Sequence, residues 1–218
     1  RLQRNVRIRH SDLLKWIEDT YQPGASVASA FSGLLGKVLE PFDFCMTDAA
    51  DPAVKAASVG VLEEALERSD AHERALRQRS ARMEEDGYHA QVSVLEGGTN
   101  VFRQGESGRE RVYVDAGGYR VGSARAVRTL EELRREIEAD PGRFSPNVFL
   151  RPVVESTVFP TIAYVGGPGE ISYFAQVSAL FPEFGIEPPM VYPRASLLLV
   201  ETPMRRLLEK LEIDVAEL

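Results

Sequence analysis

Gly166, Gly167 and Gly169, with Pro168 among them and Glu170 directly after, raise the first chemical question. Before them runs "TIAYV", short, apolar and β-branched, which suits a buried strand. After them Ile171, Phe174, Ala175 and Ala179 recur at helical spacing. A strand, a glycine turn and a helix in that order leave unpaired N–H groups at the helix start. Together with the helix dipole these favour a carboxylate or a phosphate, and glycine lets such an anion approach the backbone. The spacing is neither the dinucleotide fingerprint nor the P-loop, since G-x-G-x-x-G and the Gly-Lys-Ser/Thr ending are both missing. Turn chemistry alone also accounts for three glycines and a proline. An acidic Glu170 stabilises a first helical turn with no ligand present, so the residues leave both readings open. Asn147, Arg151, Tyr192 and Arg194 are the further binding candidates, at strand or helix ends near the turn. Both "AYVGG" and "VYPR" close strands, and open α/β sheets bind ligands beyond the carboxyl ends of their strands. Three of the four have a structural alternative: Arg151 closing a helix, Tyr192 in the core, Arg194 solvated.

The other reactive side chains are less suggestive. Cys45 is the single cysteine, and in the apolar run "FDFCM" with no identifiable His partner it reads as a small buried hydrophobe rather than a nucleophile. His10, His72 and His89 lack paired ligand spacing, so no metal site is expected. A formal charge of -7 disfavours a nucleic-acid surface, and Arg1, Arg4, Arg7 and Arg9 read as a solvated face. No run approaches the about 20 apolar residues that cross a bilayer, and no signal peptide opens the chain. The expectation is a soluble cytoplasmic protein, and Arg1 in place of methionine suggests a chain processed or cut from a longer one.

Positioning these residues requires a mixed fold. Helices are expected near residues 11–20 and 25–39, and a strand over "PFDFCM". Residues 52–86 carry a charged helical pattern that projects from the core or packs with another segment. The runs "AQVSVL", "NVFRQ", "RVYVDA" and "YRVG", separated by Gly97-Gly98, "GESG" and Gly117-Gly118, read as a small antiparallel insert. Thr129 and Glu132 form a capping box for "LEELRREIEAD", which Pro141-Gly142 ends. "MVYPR" and "SLLLVE" are strand candidates, and Thr202-Pro203 supplies an N-cap and first-turn proline.

The stretch "FSPNVFLRPVVESTVFPTIAYVGGPGEISYFAQVSALFPEFGIEPPMVYPR" resembles the bacillithiol biosynthesis cysteine-adding enzymes, the BshC family, and "FDFCMTDAADPAV" resembles an earlier segment of that family more loosely. The resemblance implies an α/β fold with a partial Rossmann-like core, a β-rich connecting insert and the start of a C-terminal helix. Divided accordingly, residues 1–50 and 126–201 form the core, 51–125 the helical and hairpin insertion, and 202–218 the start of the C-terminal segment. It also implies a ligase for the last step of bacillithiol synthesis, joining the carboxylate of cysteine to the amine of glucosaminyl-malate. Amide formation from a free acid needs activation, so ATP or another nucleotide is the expected energy donor. The family's Gly-Gln-Gln and Gly-Pro segment is absent, and its dimerising coiled coil is reduced to "TPMRRLLEKLEIDVAEL". The expectation is therefore a longer parent enzyme, homodimeric when whole, and a chain inactive by itself. Catalytic groups are not assigned. A non-catalytic binding or interaction module, and an ATP-dependent ligase or nucleotidyltransferase acting on another amine, stay open as alternatives.

Overall fold

The computed structural model describes residues 11–105 and 108–215. Arg1, Arg4, Arg7, Arg9 and His10, Glu106 and Ser107 of the "GESG" turn, and the last three residues of the terminal run lie outside the described residues. The chain divides into two compact units, residues 1–51 and 52–218.

In the first unit α1 (Ser11–Thr20) packs on α2 (Val27–Leu39). Ser26 caps α2 by accepting the Ser29 N–H at 3.0 Å. The strand expected over "PFDFCM" does not form. Pro41 lies in a 3-10 turn, Glu40–Phe42, and Asp43 adopts a left-handed φ of 55°, which interrupts an extended run. Cys45 is consequently exposed, and the burial expected for it is corrected.

The second unit opens with α3 (Pro52–Ala57), α4 (Val59–Glu67) and α5 (Ser69–Glu85). Beneath the charges Leu62, Ala65, Leu66 and Leu76 are buried, so this stretch packs rather than projects. Next come β1 (Gly98–Gly105), β2 (Gly108–Asp115), β3 (Gly118–Val121), β4 (Val127–Arg128), α6 (Leu130–Ala139) and β5 (Phe144–Pro146). The strands form one antiparallel sheet in the order β4-β3-β2-β1-β5. Val101, Val112, Val121 and Phe144 share its buried face and cluster with Leu62 and Leu66 of α4 and Leu133 and Ile137 of α6. The capping box at Thr129 and Glu132 forms as expected, and Glu136 of α6 holds Arg103 and Arg128 of the sheet, each at 2.8 Å. "AQVSVL" forms no strand. The Gln176 side chain takes the place of a strand neighbour there, accepting from Val92 N at 2.9 Å and donating to Val92 O at 3.0 Å.

The remaining elements are α7 (Arg151–Val158), β6 (Ala163–Gly166), α8 (Pro168–Val177), β7 (Met190–Pro193) and α9 (Thr202–Leu211). Strands β6 and β7 pair in parallel with α8 as the crossover, a βαβ unit with Gly166 opposite Pro193. "SLLLVE" forms no strand either: with no partner strand among the described residues, Leu197 and Leu199 stand 87% and 90% exposed. Glu201, not Thr202, occupies the cap position of α9, so Pro203 falls one place further into the helix.

Candidate functional site

The glycine turn sits where the sequence pattern places it, after β6 and at the start of α8. Gly167 is the N-cap in an extended conformation, with φ -74°, so no left-handed strain is involved. The Glu170 carboxylate accepts the Gly167 N–H at 2.9 Å, one half of a capping box whose other half a glycine cannot supply. Pro168 has no N–H, which leaves those of Gly169 and Glu170 as first-turn donors that no helix carbonyl reaches. A Cβ at Gly169 would meet nothing within 4 Å, whereas one at Gly167 would stand 2.6 Å from Arg194 Nη2. Arg194 therefore lies directly over the turn.

Around the turn the side chains form one connected network. The Tyr164 hydroxyl donates to Glu170 Oε1 at 2.6 Å, and Arg151 Nη2 donates to the hydroxyls of Tyr173 at 2.7 Å and Tyr164 at 3.3 Å. Arg151 also pairs with Glu155 at 2.9 Å, one helical turn along α7. Arg194 reaches Glu170 at 3.8 Å through its guanidinium, and its backbone N–H extends the β6–β7 ladder to Gly166 O at 2.8 Å. The Arg194 side chain is 64% exposed, so it has room to turn toward a ligand.

Electrostatics fix the protonation of the central pair. Burial, then the hydrogen bond to Glu170, raise Tyr164 well above its ordinary value. Hydrogen bonds from Tyr164 and then from the Gly167 backbone hold Glu170 below the usual carboxylate range. At neutral pH Tyr164 is thus a donor and Glu170 an anion. Neither is poised as a general base, and what the cluster can do is bind and orient.

Of the residues expected from sequence, Arg151, Gly166, Gly167, Gly169, Glu170 and Arg194 come together. Asn147 does not: it is buried, its Oδ1 accepts from Phe149 N and Leu150 N at 3.0 Å each, and its Nδ2 donates to Asn100 at 2.9 Å, so its amide organises the entry to α7. Tyr192 lies 61% exposed on the other face of β7, beside Val165 of β6. Tyr164 and Tyr173 are the participants that sequence reading passed over. Tyr164 was visible only as a strand aromatic and Tyr173 only as a helical polar position.

Residues 4–195 match the family model described as "Bacillithiol biosynthesis BshC, N-terminal Rossmann-like domain". Among curated relatives, proteins named "Putative cysteine ligase BshC" from Salinibacter ruber and Koribacter versatilis are each 32% identical, over 94% and 95% of this chain. One of the same name from Staphylococcus carnosus is 31% identical over 87%. The chain spans 37%, 39% and 35% of the lengths of these three. With 192 of its 218 residues matched by that model, and with a strand, glycine turn and crossover helix where the sequence pattern places them, the chain belongs to the BshC family and carries its N-terminal Rossmann-like domain.

Proposed function

We propose that this chain contributes an anion-binding element to a cysteine ligase of bacillithiol biosynthesis, which adds cysteine to the amine of glucosaminyl-malate. The relatives' name supports a ligase, and both proposed substrates bear carboxylates. The observation that carries the reading is the guanidinium of Arg194 over Gly167, beside the open approach to Gly169. A carboxylate or phosphate entering there meets the N–H groups of Gly169 and Glu170 and the Arg194 charge. Glu170 is the resident anion of the turn, and an entering anion releases the Gly167 N–H by displacing it. Arg151, held by two tyrosine hydroxyls, sets the rear wall and fixes Tyr164 as a donor. The activating nucleotide, proposed to be ATP, and the groups that transfer protons are assigned to no residue of this cluster.

A second reading has its own support. The 2.9 Å bond from Gly167 to Glu170 satisfies the turn without a ligand, as expected of a purely structural cap. Calorimetry of glucosaminyl-malate binding by the full-length enzyme, beside thermal melting, separates the two. Arg194→Ala is expected to weaken binding about tenfold while leaving the melting temperature nearly unchanged. Gly167→Val drives a side chain into Arg194 and is expected to weaken binding too. If Arg194→Ala binds as wild type and Gly167→Val loses only stability, the turn is structural.

A further inference from the structure

The antiparallel sheet has a second face, turned away from the core, and its chemistry is unlike the rest of this acidic chain. Register places Phe102 of β1 between Arg111 of β2 and Ser145 of β5. Arg109, two residues before Arg111, points to the same face. Its guanidinium carbon lies 4.1 Å from the Phe102 ring centre, and that of Arg111 lies 4.6 Å from it. Arg109 spans β1 to reach the Ser145 hydroxyl at 2.9 Å and the Pro146 carbonyl. Lys55 of α3 donates to the Phe144 carbonyl at 2.7 Å, next to Ser145. Among the described residues no carboxylate forms an ion pair with Lys55, Arg109 or Arg111, although acidic residues outnumber basic ones 33 to 26.

We propose that this cluster of Lys55, Arg109 and Arg111 around Phe102 and Ser145 is a binding site for a phosphate-bearing small molecule, separate from the glycine turn. Burial and then the Arg109 charge lower Lys55, and burial, opposed by Tyr113 and aided least by the Arg109 charge, lowers Arg111, so repulsion among these cations adds to the cost of burying them. A bound dianion would offset the repulsion and favour the charged forms of both. Guanidinium forks match the oxygen spacing of a phosphate, and the Ser145 hydroxyl adds a neutral donor. A base stacking on Phe102 would have to compete with the two arginines already packed on that ring. Small size and charge therefore select the ligand, and the site stands whether or not the glycine turn binds an anion.

The test is calorimetric titration of the full chain with inorganic pyrophosphate at low ionic strength, in an Arg194→Ala background that removes the main cation of the glycine turn. Saturable binding is expected, with Arg109→Gln and Arg111→Gln each weakening it about tenfold or more. Arg109 is exposed, so its variant is expected to fold as the parent does and decides the matter if Arg111→Gln melts early. Absence of saturable heat, or equal binding by the folded Arg109→Gln variant, overturns the proposal. So does a single-stranded oligonucleotide that outcompetes pyrophosphate and loses its affinity in the same variants, because the face is then a nucleic-acid surface.

Discussion

His72 is fully buried in α5, stacked on Phe184 with ring centres 4.6 Å apart. Neither ring nitrogen has a well-formed hydrogen-bond partner among the described residues, although a neighbouring Ala65 backbone group weakly favours the charged form. Burial, and then the nearby Arg68 charge, hold the imidazole down to about 4. An unfolded chain takes up that proton near pH 6.5, the native one only near pH 4. The contribution to stability is therefore whole above pH 6.5, shrinks as pH falls through the window from 6.5 to 4, and is lost below it, a change of about 3 kcal/mol. His72→Phe is expected to flatten the acid limb of stability measured by urea unfolding at pH 7.5 and pH 4.5. An unchanged difference between the two pH values sinks the assignment. At this scale the sequence announces residue types but not partners. Glu170 was legible as a first-turn acid, whereas its bond to Tyr164 and Arg151's bond to Tyr173, 22 positions away, depend on how β6 and α8 pack.

Elements with a local grammar read well. The Thr129 and Glu132 box opens α6, and the glycine turn separates β6 from α8. The three strand expectations that fail, "PFDFCM", "AQVSVL" and "SLLLVE", share β-branched or aromatic content but lack a neighbouring strand among the described residues. Strand propensity is a fitness for a pleated, half-buried surface, so composition alone does not create the ladder. For "AQVSVL" the substitute is Gln176, buried and also bonded to Ser80 at 3.0 Å. Gln176→Leu keeps the volume and removes the amide, leaving the Val92 N–H and carbonyl without their partner. A loss of about 2–3 kcal/mol is expected by chemical denaturation. A loss below about 0.5 kcal/mol would instead show that side-chain packing alone holds this segment.

At the scale of the whole chain, one face of the parallel pair stands out. Ala163, Val165, Met190 and Tyr192 alternate onto the side opposite Tyr164 and Val191, and all four are exposed. Parallel strands are ordinarily covered on both faces, and an uncovered apolar face favours association. We expect the chain to self-associate at micromolar concentration and to enhance the fluorescence of an apolar dye, with Val165→Lys and Tyr192→Lys together reducing both. Sedimentation of the parent chain as a monodisperse, dye-silent monomer counts against this. The same crossover helix that frames the glycine turn carries Gln176 at its far end, about 15 Å of helix in all. Each residue added to or removed from α8 turns one end about 100° relative to the other. Glu170 and Gln176 thus keep their two attachments only at their present separation in the chain, and a single-residue insertion or deletion between them would force a choice between the turn and the segment at Val92. Change along α8 is confined to substitution, and variation in length is pushed into the loops on either side.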